Sequence, residues 1–424
     1  MMRVVALLVL ALTANASVED DLGLGSRATA LGGAFTAVAD DVTAIHYNPA
    51  AIAAFPRRLP TGDGRAGLHT HVGFLHSAPS LWVERGALNG DTLSYQPRED
   101  HDAPSTTGLT LGAVADLDPV AIGLLLYVPL QRFYAWETPA AEEVQFPMYD
   151  DRTQHLSILP SIAIRPLSGL SIGAGLRVLP SARTDTVVRS SGLGDEQNTS
   201  GETATLNGRI APTFGVHYEP ADWLRLGLVH RRPIYMNDHG QTDLTGLAPS
   251  GYVHRLAHFY MPSQWVLGVA TQFNEATLTA DLAHMAWSGY LDAYADAHTE
   301  VFRDTWVPRA GVACATPWRT EILAGYSYVR SPVQDGQVWT NFVDNDKHVL
   351  SLGSQTRLIK QFTSKRSPID LAWHAQLHLL RERRFVKDFR AAESVDAWRQ
   401  NPGSPALRSG GHVLNLGVTL TVGL

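Results

Sequence analysis

The chain has 424 residues, 45% of them hydrophobic and 18% charged, a formal net charge of −7 and a single cysteine, Cys314. The acidic balance leaves no electrostatic footprint for nucleic acid. One cysteine excludes an internal disulfide, and no run of about eighteen apolar residues suggests a helical membrane span. A mean hydropathy of −0.07 suits a soluble chain, and equally a barrel whose strands show one face to water.

In chain order, Arg3 precedes the apolar run Val4–Leu12, too short to cross a bilayer, and Ala14-Asn15-Ala16 is a small-x-small cleavage site. Residues 1–16 therefore read as a signal peptide, with Ser17 the expected mature N-terminus. Residues 17–65 are rich in Gly, Ala and Asp and carry too little apolar mass for a core of their own. Asp40-Asp41 followed by Val42-Thr43-Ala44-Ile45 predicts a short capped helix. Such a segment beside a large closed barrel is expected to lie inside it as a plug.

From residue 66 to 424 the pattern is strand, tight turn, strand, long loop. Strands are predicted near 66–77, 105–116, 119–134, 151–165, 170–184, 203–218, 222–236, 261–273, 276–288, 304–315, 319–331, 346–360, 368–381 and 411–424. Turn residues such as Asp116-Leu117-Asp118-Pro119 and Glu219-Pro220-Ala221-Asp222 separate alternate pairs. Long polar stretches, among them 185–202, 237–258 and 382–410, separate the others. Loop 78–104 is the least regular, since Leu81–Glu84 reads as an extra short strand. The last segment alternates without a break: Leu414, Leu416, Val418, Leu420, Val422 and Leu424 share one face, and Asn415, Gly417, Thr419, Thr421 and Gly423 the other. A period of two means a strand with one apolar side. The fold class that follows is all-β: a transmembrane antiparallel β-barrel of about fourteen strands with an N-terminal plug, or hatch, in its lumen, and both ends on the periplasmic side.

The run Gly25-Ser26-Arg27-Ala28-Thr29-Ala30-Leu31-Gly32-Gly33-Ala34-Phe35-Thr36-Ala37-Val38-Ala39-Asp40-Asp41, followed by Tyr47-Asn48-Pro49-Ala50, resembles the FadL-type family of long-chain fatty acid outer-membrane transporters. Gly32, Gly33, Asp40, Asp41, Asn48, Pro49 and Ala50 are the hatch motif. The stretches Met261-Pro262-Ser263-Gln264-Trp265, Gly325-Tyr326-Ser327-Tyr328 and Asp344-Asn345-Asp346-Lys347-His348 continue the likeness. The resemblance implies passive uptake of long-chain fatty acids or other hydrophobic molecules across the bacterial outer membrane. Ligand would be captured at the outer loops, with 185–202 and 237–258 as the capture site, held in a lumenal pocket, and released sideways through a kink in an early strand. Pro129 is the candidate kink, because proline cannot donate to the ladder; the other reading is an ordinary strand end at the rim. The resemblance also implies a lumenal basic residue near Arg183, which extends the inward parity of Arg177. Arg183 is the candidate carboxylate contact, with Arg177, Arg225 and Arg231 behind it. The other reading pairs these arginines with acids of the plug. The family's second basic partner has no clear counterpart.

The expected partners are a hydrophobic ligand, outer-membrane lipid and the barrel assembly machinery, with the protein a monomer and no cofactor. That machinery commonly reads a terminal aromatic, and here the last residue is Leu424. His254 with His258, and His374 with His378, are four apart. In a strand that spacing is about 13 Å, too far for one ion, so no metal site is expected. No nucleophile motif or phosphate loop indicates an enzyme. Two other functions compete with transport. One is an outer-membrane anchor for a protein secretion system, a role of relatives that share the N-terminal pattern. The other is a polar porin, which the plug disfavours.

Overall fold

The computed structural model describes residues 17–54, 67–89, 92–131, 143–150, 153–191, 197–245, 252–290, 301–335, 341–362, 365–387 and 404–423. Residues 1–16, read as the signal peptide, lie outside them. Fourteen strands form one closed antiparallel barrel. They are β1 (Leu68–Asn89), β2 (Thr106–Asp116), β3 (Val120–Pro129), β4 (Ser157–Leu167), β5 (Leu170–Leu179), β6 (Arg209–Ala221) and β7 (Leu224–Arg231), followed by β8 (Ser263–Phe273), β9 (Ala276–Ala286), β10 (Thr305–Ala315), β11 (Thr320–Val329), β12 (Lys347–Phe362), β13 (Lys365–Val386) and β14 (Ala406–Gly423). Each strand pairs with its sequence neighbours, and β1 closes the ring against β14, from His69↔Gly423 to Gly86↔Ala406.

The alternation seen in the sequence sets which face is which. On β14, Leu414, Leu416, Val418 and Leu420 are exposed, while Val413, Asn415, Thr419 and Thr421 are buried. Because the period is two, any slip of register would turn the apolar set inward, so the pattern fixes the pairing. Exposed Trp223, Phe273 and Trp318 ring the short-turn end, as aromatic residues do at a membrane interface.

Several long loops are strands instead. β1 continues through Leu81–Glu84 to Asn89, paired with β14, so no separate strand forms there. Thr92–Tyr95 and Glu99–His101 fold back onto β1. Segments 185–202 and 237–258 belong to two hairpins, Ala182–Ser191 with Gln197–Leu206 and Ile234–Thr245 with Tyr252–Met261. The hairpins join into a four-stranded sheet that stands apart from the barrel ladder at its long-loop end. Residues 197–205 and 237–245 are polar on both faces, so no apolar stripe marks them in the sequence, while Ile234, Met236, Phe259 and Met261 at the foot of the sheet join Leu179 and Leu206 in an apolar cluster.

Residues Ser17–Ala54 are almost wholly buried. They form α1 (Val18–Asp21), α2 (Ser26–Ala30), α3 (Ala44–Tyr47) and a 3₁₀ turn at Pro49–Ala53. Leu24, Leu31, Phe35, Val38, Val42 and Ile52 pack with Val114, Leu125, Tyr127 and Leu323 of the wall in one apolar cluster. Asp41 Oδ1 accepts from Thr43 N at 2.8 Å, so the expected capped helix starts about one turn later than its acidic pair.

Candidate functional site: the lumen and its hatch

The hatch touches the wall where the wall has no side chains. Gly32 and Gly33 have φ of 67° and 75°, a region that favours glycine. A Cβ on Gly325 of β11 would overlap Gly32 N and Leu31 C, and one on Gly32 would lie 2.7 Å from Tyr326 N. Backbone therefore rests on backbone. Asn48, fully buried, donates from Nδ2 to Thr36 O at 3.0 Å and to Val216 O of β6 at 3.1 Å. Its Oδ1 accepts from Ala50 N at 3.2 Å. A Cβ on Gly173 would collide with Pro49 and Ala50, and one on Gly215 with Asn48. These contacts explain why the turn needs Asn, then Pro, then a small residue. Asp281 of β9 accepts from Phe35 N at 3.1 Å and Thr36 N at 3.0 Å, a second pin that sequence reading missed.

At the short-turn end Arg27 is the hub. It makes a bidentate pair with Asp40, at 2.9 and 3.2 Å, and also bonds Glu321 of β11 and Gln355 of β12. Arg357 pairs with Asp370 alongside. These groups line a cavity of about 470 Å³, whose charged walls suit water better than an apolar ligand. Arg225 of β7 is an electrostatic neighbour of Asp40, Arg27 and Glu321. Burial pushes the Asp41 carboxyl up to about 6.

Deeper in the lumen, Ser17 caps α1 by accepting from Glu19 N at 3.1 Å, and α1 presents three acids in succession. Arg177 of β5 lies 3.4 Å from Glu19 and 3.5 Å from Asp20. Arg231 donates to Gln264 Oε1 at 3.0 Å and to His46 O at 2.7 Å. Lys347, buried at the start of β12, lies 3.5 Å from Asp21 and 5.0 Å from the Tyr149 ring centroid. Burial raises the Glu19 and Asp21 carboxyls above their usual range despite Arg177 and Lys347 respectively. Burial would raise Asp20 too, but Arg177, His46 and Arg231 outweigh it and hold that carboxyl low. Around these groups lies a cavity of about 60 Å³ that Arg309 of β10 also lines; its guanidinium has no hydrogen bond or ion pair among the described residues. Above it a gap of about 20 Å³ is bounded by Met148, Met261, Met285 and Trp287. An aromatic-rich cluster that includes Phe146, Tyr260, Trp287, Tyr290, Phe302, Phe342 and Phe385 closes the long-loop end.

The four arginines read from the sequence do not gather in one place. Arg177 and Arg231 share the α1 layer, paired with the plug. Arg225 belongs to the short-turn cluster. Arg183 is exposed in the outer sheet, because the strand breaks at Pro180-Ser181 and the inward parity of Arg177 is lost there. Pro129 is the last residue of β3, paired with Gly108, and the β2–β3 register runs unshifted up to it, while the pairing of β3 with β4 ends at Tyr127↔Ser157. Lys347 is a basic lumenal partner that its inward parity with Val349 and Ser351 could have revealed. His374 and His378 are buried on the inward face of β13. No group of three His, Cys, Asp or Glu placed to hold a metal occurs among the described residues. The side chains of His254 and His258 lie outside the described residues.

The family model described as outer membrane protein transport protein (OMPP1/FadL/TodX) matches residues 5–374. No curated protein matches the chain in sequence. Among solved structures, a Pseudomonas aeruginosa FadL homologue is 15% identical, with a TM-score of 0.57 over 98% of both chains. The Pseudomonas putida toluene transporter TodX is 17% identical, with a TM-score of 0.52 over 94% of this chain and 98% of its own. The Ralstonia pickettii toluene transporter TbuX is 15% identical, with a TM-score of 0.54 over 95% and 99%. At these identities the likeness to the solved structures is one of fold.

Proposed function

The chain belongs to the outer membrane transport protein family (OMPP1/FadL/TodX), and from that premise we propose that it admits hydrophobic small molecules, long-chain fatty acids or hydrocarbons, by passive diffusion. It is an outer-membrane transport protein and not an enzyme. The observation that carries the reading is the closed, layered lumen. Beyond the charged cavity of about 470 Å³ at the short-turn end, the gaps of about 60 and 20 Å³ deeper in the lumen fall below the roughly 150 Å³ of an apolar cavity that takes benzene. A porin needs a standing aqueous path, and among the described residues the α1 layer and the aromatic cluster stand across it. An apolar ligand gains from contact at each step, and three methionines beneath the aromatic cluster give it adaptable walls. An anchor barrel would need neither layer.

Sideways exit is part of the proposal, and the wall has a candidate place for it other than Pro129. Between β4 and β5 the pairing lapses between Ile158↔Val178 and Ser161↔Gly175. Pro160 stands in that gap and has no N–H to donate. Replacing Pro160 by valine should restore the ladder and slow ligand passage several-fold in a vesicle uptake assay, with the barrel fold kept. Unchanged uptake would place the exit elsewhere.

The direct test is chemical. Lipid-soluble material extracted from the purified barrel, compared by mass spectrometry with a detergent blank, should contain a stoichiometric fatty acid or hydrocarbon. A barrel that carries nothing, and binds neither added oleate nor toluene, would reject the transporter reading and favour the secretion anchor. The protein is expected to work as a monomer after insertion by the barrel assembly machinery.

A further inference from the structure

On the outer wall near the long-loop end, aromatic rings and histidines form a belt on the outward face. Trp265 stacks on His230 at 4.2 Å between centroids, and Tyr328 lies 5.2 Å from His348, whose Nδ1 is 2.9 Å from the Tyr326 hydroxyl. Such a belt marks the level of lipid headgroups. Below it on the same strands Leu350, Leu352 and Leu371 are exposed, as a lipid-facing band requires. Just above it stand two exposed arginines. Arg330 continues the outward parity of Tyr326 and Tyr328 beyond the end of β11. Arg381 continues the outward parity of Leu371, Trp373 and Leu379 on β13, at the start of the bulge, the one-residue register shift between Leu380 and Arg383. Asp346 ties the two positions together: its carbonyl accepts from Arg381 N at 2.8 Å, and its carboxylate accepts from the N–H of Ser331, next to Arg330, at 2.9 Å.

The nearby carboxylates are already engaged. Asp346 accepts from the Tyr328 hydroxyl at 2.8 Å and from Ser331 N at 2.9 Å. Asp335 pairs with Arg383 at 2.7 Å, and Glu382, the other half of the bulge, pairs with Arg408. The guanidiniums of Arg330 and Arg381 have no hydrogen bond or ion pair among the described residues. Two such forks at headgroup level, over an aromatic belt, suit a phosphate monoester in charge and in hydrogen-bonding capacity.

We propose that Arg330 and Arg381 form a phosphate-binding site on the outer wall, filled by the phosphorylated headgroup of an anionic outer-leaflet glycolipid. Arg381 keeps the outward parity of Leu379, and Arg330, although it borders the lumenal gap of about 20 Å³, continues the outward parity of Tyr326 and Tyr328. The test is native mass spectrometry of the full barrel with diphosphoryl lipid A, its dephosphorylated form and inorganic phosphate. Wild type should retain diphosphoryl lipid A at least tenfold more tightly than the Arg330→Gln/Arg381→Gln double variant. Arg330→Lys/Arg381→Lys should fall between them, and the dephosphorylated lipid should not distinguish the three. Heat-modifiable mobility on gels checks that each barrel is folded, and the lysine variant keeps the comparison available should the glutamine variant fail that check. Equal retention by wild type and a charge-removed variant would overturn the site. Binding of inorganic phosphate as tight as that of the lipid would overturn the lipid as occupant.

Discussion

Replacing Gly325 by valine is expected to undock the hatch while leaving the barrel folded. In the strand itself valine is welcome, since β-branched residues suit a pleated ladder, and Gly325 keeps its pairing with Gly311 and Ser351. The inward face is another matter. Even a Cβ there would overlap the backbone of Leu31 and Gly32, and the opposing Gly311 has a Cβ position 2.7 Å from Leu31 O. Overpacking a tight contact costs about 1–3 kcal/mol, and backbone on both sides leaves no rotamer to absorb it. The turn must lift away. Arg27, just upstream, would then lose Glu321 and Gln355, so two fastenings fail together. The expected signals are ion conductance steps in planar bilayers where wild type gives none, and new trypsin cleavage at Arg27. Gly325→Ala should show the same effects more weakly. A valine variant that stays silent, with Arg27 protected, would mean that the hatch is not held at this contact.

The barrel was legible because its information is local. β14 shows both faces within a dozen residues, and the strands with short turns repeat the pattern. The hatch motif was legible as a motif, and its chemistry followed once Gly173, Gly215 and Gly325 stood opposite it. Pairing across the lumen was not legible. Parity says that Arg177 points inward, but Glu19 is its neighbour only because a plug threads back through the ring. Arg183 shows the limit of parity itself: it holds along one strand and lapses at the first break. The outer sheet escaped notice for a different reason. Residues 197–205 and 237–245 within it are polar on both faces, so a period of two has nothing to mark there.

Glu19, Asp20 and Asp21 occupy the lumenal cations with the same chemical group that a fatty acid would bring. A carboxylate ligand that reached Arg177 would have to displace Glu19 and Asp20, exchanging one ion pair for another of similar strength. Wild type is therefore expected to bind oleate and methyl oleate with similar affinity, because the headgroup gains little that the plug has not already supplied. Removing the plug's charges should change that. In Glu19→Gln/Asp20→Asn, Arg177 loses the partners now at 3.4 and 3.5 Å and stays buried. Breaking a buried pair from one side costs about 3–5 kcal/mol, so α1 is held less firmly and Arg177 is left without a carboxylate partner. Oleate should then bind at least tenfold more tightly than to wild type, and methyl oleate should not. If oleate and its ester respond alike, the arginine layer serves only to seat the plug and ligands pass it through apolar contact alone. If wild type already prefers oleate strongly, the headgroup has a cation that the plug does not cover, and Arg309, unpaired on the same cavity, is the residue to replace next.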